Sequence, residues 1–158
     1  MRADAVLFLQ FQLGRDRYAL DARQVAKVLP LISLKQIPAA PAWVAGAFVY
    51  QGAPVPVIDL NQLALGRPAN RRLGTRIALV HYPQPGAGSH LLGIIVEQAT
   101  RTLRRASSDF TDCGIANDGA PYLGPVAQDA NGLVQSIRVQ DLLPAPVQAL
   151  LFREALET

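Results

Sequence analysis

The run Gly46-Ala47-Phe48-Val49-Tyr50-Gln51-Gly52-Ala53-Pro54-Val55-Pro56-Val57-Ile58-Asp59-Leu60 reads as two strands delivered into a helix start. The pattern predicts a strand over 45–50, a tight reversal at Gln51-Gly52 and a second strand over 53–58. Phe48, Val49 and Tyr50 leave little polar face, the pattern of a strand buried on both sides. Gly52 supplies backbone freedom that a side chain would forbid. Pro54 and Pro56 withhold ladder donors, which puts the second strand at an edge, at a bulge or where pairing is interrupted. Asp59 with Gln62 three residues on is a capping-box spacing for a helix over Leu60–Leu65, closed by Gly66. Nothing in this stretch is catalytic.

Upstream, Leu7, Leu9, Phe11 and Leu13 alternate with Phe8, Gln10 and Gln12 as a period-two strand. The turn Gly14-Arg15-Asp16 returns it as a second strand over 17–22. Asp21 is placed to cap a short helix whose apolar Val25, Val28 and Leu29 recur at helical spacing until Pro30 stops it. A proline-punctuated crossing segment follows over 31–43.

Downstream, a polar loop at 67–75 leads to strands at 77–82 and 91–98 around a Gly/Pro-rich hairpin tip at 83–89, and to a short strand at 100–104. Residues 106–120 read as irregular, with turn signals at Cys113-Gly114 and Asn117-Asp118-Gly119. A last hairpin pairs 122–128 with 133–138, and Asp141-Leu142-Leu143 makes a helical turn. Val147, Leu150, Leu151 and Glu154 mark one face of a C-terminal helix over 145–158, with Arg153 and Glu157 an i,i+4 pair. Many short strands, few helices and frequent turns make this a mostly β chain, a barrel or paired barrels.

At 158 residues, the chain has the length of one domain with room for two lobes. Hydrophobic residues make up 50% and charged residues 17%, so part of the apolar surface is expected at interfaces. No apolar run has the length of a membrane span, and the N-terminus lacks a secretion pattern, so a cytoplasmic location without membrane insertion is expected. Cys113 is the single cysteine, which excludes an intrachain disulfide framework. A net charge of +3 permits an acidic partner. The local cluster Arg67, Arg71, Arg72 and Arg76 has no interleaved aromatics, and a solvated loop is favoured over a nucleic-acid face.

Enzymatic chemistry finds no constellation. The loop at 83–89 lacks a phosphate-cradle pattern. His81 and His90 flank it and are placed to face each other across the hairpin, but a zinc site needs three or four protein ligands. Asp109 and Asp112 stand outside any recognisable carboxylate pair, and Cys113 has no basic cluster to activate it. The expectation is no catalytic residue, no metal and no cofactor.

The opening stretch resembles the signature Gly-Val-x-Asn-Leu-Arg-Gly-x-x-Val-Pro-Val-Ile-Asp-Leu of CheW-like domains, the coupling proteins of bacterial chemosensory arrays. Gly46, Gly52, Val55, Pro56, Val57, Ile58, Asp59 and Leu60 match, whereas Val49-Tyr50-Gln51 replaces Asn-Leu-Arg. Further landmarks follow in order at Val25-Ala26-Lys27-Val28, Ile37-Pro38-Ala39-Ala40-Pro41, Gly93-Ile94-Ile95-Val96-Glu97 and Gly132-Leu133-Val134 before Asp141-Leu142-Leu143. The match as a whole spans about residues 7–143.

The resemblance implies a single domain over 1–158: two small five-stranded, SH3-like barrel lobes packed over a shared core, with short helices and a C-terminal helix. It implies a non-enzymatic adaptor joining the cytoplasmic tip of a methyl-accepting chemoreceptor to the regulatory domain of a CheA-like histidine kinase. A groove between the lobes would take the receptor tip. Partner contacts are then expected at Val25, Lys27, Val28, Val49, Tyr50, Gln51 and Gly52, although Val25 and Val28 read equally as core. Gly46, Pro56, Asp59 and Gly93 are expected to be structural. In the family the positions of Lys27 and Gln51 usually carry an acid and an arginine. Either the two are neighbours that exchanged together or they drifted independently. Altered contact positions extend the expectation to a non-flagellar pathway controlling surface attachment or a diguanylate cyclase. Two rival readings are a small-molecule-binding barrel with the 83–89 loop as lid, and a nucleic-acid-binding barrel using the arginine cluster.

Overall fold

A computed structural model describes residues 5–84, 88–112 and 118–152. Nine strands and two helices follow one another: β1 (Ala5–Leu13), β2 (Asp16–Asp21), β3 (Val25–Pro30), β4 (Val44–Tyr50), β5 (Ala53–Asp59), α1 (Leu60–Leu65), β6 (Arg76–Gln84), β7 (Gly88–Ala106), β8 (Leu123–Asp129), β9 (Gly132–Ile137) and α2 (Ala145–Leu151). Single 3-10 turns occupy Ala22–Gln24, Ser107–Asp109 and Val139–Asp141.

The 19-residue strand β7 organises the molecule. Its first half pairs with β6 and, through Gly93, Ile94 and Ile95, runs parallel to Val57, Ile58 and Asp59 of β5. Its second half pairs with β1, from Glu97 opposite Gln12 to Ala106 opposite Ala5. The switch lies at Gln98, whose φ of 51° breaks the extended run, facing a bulge between Gln10 and Gln12. One lobe therefore gathers β3, β4, β5, β6 and the first half of β7. The other gathers β1, β2, β8, β9 and the second half. Five strand segments per lobe match the expected architecture, with ladders that stay open among the described residues.

Burial follows this division. Val55, Val57, Ile77, Leu79 and Ile95 fill the inside of the first lobe, and Phe8, Ala19, Ala127 and Val134 that of the second. The largest cluster is shared, joining Leu9, Phe11 and Leu20 to Ile58, Val80 and Ile94. Ile77 and Leu79 face one cluster while Ala78 and Val80 face the other, so both faces of β6 are dry from Ile77 to Val80. That is the reason for the continuous apolar runs at 77–80 and 92–96.

The expectation of double burial at Phe48-Val49-Tyr50 is overturned. Phe48 and Tyr50 pack against the first lobe's cluster, but Val49 is 71% exposed. The strand buried on both faces is its partner β5, from Val55 to Asp59. Pro54 and Pro56 precede the point where β5 begins to pair with β7, so their missing donors remove nothing from that ladder.

The expected helix over Val25 to Leu29 is a strand. Asp21 does cap, accepting from Arg23 N, but the helical turn ends at Gln24 and β3 pairs with β6. A bulge between Val25 and Lys27 shifts the register by one residue. Val25 and Val28, three apart, thereby both pack on the shared core, and a bulged strand imitates helical spacing. The separate strand expected at 100–104 is the continuation of β7, and the last helical turn sits at Val139–Asp141, two residues before the expected Asp141-Leu142-Leu143. Glu154, Arg153, Glu157 and Cys113-Gly114 lie outside the described residues.

Two polar staples tie remote segments together, one within the second lobe and one seating α2 on β6. Arg17 donates from Nη2 to Asp129 Oδ1 (2.6 Å) and from Nη1 to Oδ2 (3.0 Å), tying β2 to the β8–β9 turn. Its hydrogen bonds hold the Asp129 carboxyl below the usual carboxylate range, against the cost of burying it. Protonation therefore weakens the folded state. Stability from the pair is complete above the unfolded value of about 4 and is lost as pH falls through the lowered folded value. Denaturation midpoints measured from neutral to acid pH should fall less steeply for Asp129→Asn than for the native chain. Parallel acid limbs would show that the pair adds nothing.

The second staple is Tyr82, whose hydroxyl donates to Gln140 O (3.0 Å) and accepts from Leu143 N (3.2 Å) and Gln148 Nε2 (3.3 Å). Phe152 closes over it, with ring centroids 5.5 Å from Tyr82 and 4.7 Å from His90. Together these contacts seat α2 on β6 and β7.

Candidate functional site

The candidate contact positions rise from two edges of the first lobe. At the β4–β5 hairpin, Gln51 (φ 51°) and Gly52 (φ 83°) take consecutive left-handed conformations, the geometry of a two-residue primed turn. That turn places Val49 opposite Pro54 and Tyr50 opposite Ala53. Val49, Gln51, Gly52, Ala53 and Pro54 are exposed, an apolar tip with little charge, while Tyr50 is half-buried with its ring 6.3 Å from Phe48.

The other edge is β3, which pairs with β6 alone. Ala26 and Lys27 are exposed there, and Val25 and Val28 are half-buried against the shared core. Strand order within the lobe is β4, β5, β7, β6, β3, so the two groups stand on opposite edges of the ladder. Lys35, in the segment between β3 and β4, exchanges backbone hydrogen bonds with Ala47 of β4 at 2.9 and 2.8 Å. No hydrogen bond joins Lys27 to Gln51 among the described residues.

The positions expected to be structural have identifiable packing. Gly46 has φ 145°, and a Cβ there would lie 2.5 Å from Lys35 O. At Gly93 a Cβ would meet Val57 Cγ2 at 2.9 Å and Ile77 Cγ2 at 3.0 Å. Pro56 is buried opposite Ala47. Asp59 caps α1 by accepting from Gln62 N (3.2 Å), and its other oxygen accepts from Ala69 N (3.0 Å). Gly66 closes the helix at φ 75°.

Sequence reasoning placed His81 and His90 face to face, and the register corrects this. His81 lies opposite Leu91 and His90 opposite Tyr82, so successive positions send them to opposite faces. His90 is stacked on Phe152 and His81 is exposed. Asp109 accepts from Arg105 Nε (3.1 Å) and Ala106 N (3.2 Å), a structural use. Among the described residues no three His, Cys, Asp or Glu side chains group to hold a metal ion. One cleft, lined by Phe8, Arg23, Phe110 and Arg138, is an open groove.

Glu97 is a residue whose task the sequence did not reveal: it accepts from Asn70 N (2.6 Å) and Asn61 Nδ2 (3.3 Å), fastening the loop after α1. Both partners lie 27 or more positions away, so no local spacing announces the contact.

A model of the CheW-like domain matches residues 7–147. The chain belongs to the CheW-like domain family. Over 127 residues it is 28% identical to the chemotaxis protein CheW of Treponema pallidum (strain Nichols), covering 78% of this chain and 74% of that one. Among solved structures, the scaffolding protein TtCheW from Thermoanaerobacter tengcongensis superposes with a TM-score of 0.77 at 21% identity, covering 89% of this chain and 88% of that one. At that identity the likeness is one of fold. CheW-family proteins are scaffold and coupling proteins of chemotaxis rather than enzymes.

Proposed function

We propose that this CheW-like chain acts as one two-lobed domain in the cytoplasm, an adaptor that joins a methyl-accepting chemoreceptor tip to the regulatory domain of a CheA-like histidine kinase. The observation that carries this reading is the family match across residues 7–147. The two exposed edges of the first lobe support it: Val49 and the Gln51-Gly52 turn on one side, Lys27 on the other. Surfaces on opposite edges of one rigid ladder hold two partners at once, and receptor conformation then biases the kinase through contacts that differ between its states. The groove between the lobes remains the proposed seat of the helical receptor tip.

Purified protein should retain both the receptor-tip fragment and the kinase regulatory domain encoded nearest to it. Val49→Asp should weaken retention of one partner about tenfold or more, because it buries a carboxylate in an apolar contact. Lys27→Glu should weaken one partner with little effect on the other. Folded protein that retains neither would overturn the adaptor reading.

Lys27 and Gln51, where the family usually carries an acid and an arginine, favour a dedicated partner set in a non-flagellar pathway of surface attachment or diguanylate cyclase control. Deletion should then alter attachment and leave swimming chemotaxis intact; lost swimming chemotaxis with normal attachment would refute that part alone.

A further inference from the structure

The loop between α1 and β6 presents groups that no contact within the chain uses. Leu73 is 97% exposed, well beyond any other large apolar side chain among the described residues. Arg67, Arg71 and Arg72 around it are exposed, and their guanidinium groups have no carboxylate or hydrogen-bond partner among the described residues.

This exposure is built into a fastened loop. Asp59 and Glu97 bind its backbone at Ala69 N and Asn70 N. The Thr75 hydroxyl donates to Asn70 O and accepts from Arg72 N. Thr75 N returns to Arg72 O (3.0 Å), closing a β-turn with Leu73 and Gly74 at its tip, and Gly74 O accepts from Ala99 N (2.9 Å). A leucine on a loose loop could fold back over nearby apolar surface, whereas this one is held out in water. Asp59 and Glu97 are spent on backbone donors inside the loop, which leaves its outer face cationic.

An apolar point inside an arginine collar has the anatomy of a protein contact, an apolar centre with a charged rim. Nucleic acid is less suited, since no aromatic from 66 to 76 offers a stacking face. A lipid surface would attract the arginines, but one leucine inserts too little apolar area to anchor the chain. We propose that the 66–75 loop docks an acidic segment of a protein partner that presents an apolar side chain to Leu73. The proposal does not depend on the identity of the receptor or kinase.

The test uses the full chain, isotopically labelled and titrated with a soluble helical peptide carrying glutamates and leucines along one face. Amide shifts should centre on Arg71, Arg72, Leu73 and Gly74. Leu73→Ser should weaken binding about fivefold, and raising salt from about 0.05 to about 0.5 M should weaken it about tenfold. A glutamine-for-glutamate peptide should bind at least about fivefold more weakly. Leu73 is exposed and belongs to no core cluster, so Leu73→Ser should keep the native melting temperature. Shifts elsewhere, or affinity unchanged in Leu73→Ser, would overturn the proposal. So would a duplex oligonucleotide or phosphatidylserine vesicles engaging the same amides more tightly than the peptide.

Discussion

Gly46→Ala is expected to destabilise the chain by about 3–5 kcal/mol, enough to consume much of the stability of a domain this size. Two terms add. The φ of 145° lies where a side chain is strained, at about 1–3 kcal/mol. The new Cβ would also stand 2.5 Å from the carbonyl oxygen of Lys35, and that oxygen cannot withdraw cheaply because it accepts from Ala47 N. The contact lies where the crossing segment meets β4, so relief requires opening the lobe. Gly52→Ala is the internal control: its φ is 83°, but nothing lies within 4 Å of its Cβ position, leaving a backbone cost of about 1 kcal/mol. Urea denaturation of both variants compares the two. Equal losses would mean that the Gly46–Lys35 approach is slack.

Tyr82→Phe should cost about 2–3 kcal/mol while keeping every carbon of the ring. The side chain is 1% exposed, and its hydroxyl is a hub for Gln140 O, Leu143 N and Gln148 Nε2. Removing it strands an amide and a carbonyl in a dry setting, where an unmet hydrogen bond costs about 1–3 kcal/mol. The loss should be local before it is global. Amide exchange should accelerate in 142–152 while 77–80 and 92–96 keep their protection at temperatures well below the melt. Uniform acceleration across both regions would show that α2 is cooperative with the sheet, and unchanged stability would mean that water replaces the hydroxyl.

How much of this could be read in advance depended on the range of each interaction. The Asp59–Gln62 cap, the left-handed Gly66, the Gln51-Gly52 reversal and the Asp21 cap all close within four residues, so spacing alone announced them. The family resemblance added the two-lobed architecture, which periodicity could not supply. The candidate contact positions Val49, Gln51 and Lys27 were chosen from the sequence, and only the ladder shows that they stand on opposite edges of one lobe.

Tertiary structure decided the rest, because the deciding atoms are remote in the chain. Val25 to Pro30 carries a helical spacing, and only pairing with β6, some fifty positions away, turns it into a bulged strand. Gln98 gives no sign that one strand passes from one lobe to the other, since that follows from β5 and β6 on one half of β7 and β1 on the other. Gly46 is compelled by the carbonyl of Lys35, Gly93 by Val57 and Ile77, and Val49 faces water because its neighbours claimed the core. The sequence by itself determined the turns, the caps and the predominance of strands, β3 excepted. Which face each strand buries, and which side chains stand free to meet a partner, was decided where distant segments came within van der Waals reach.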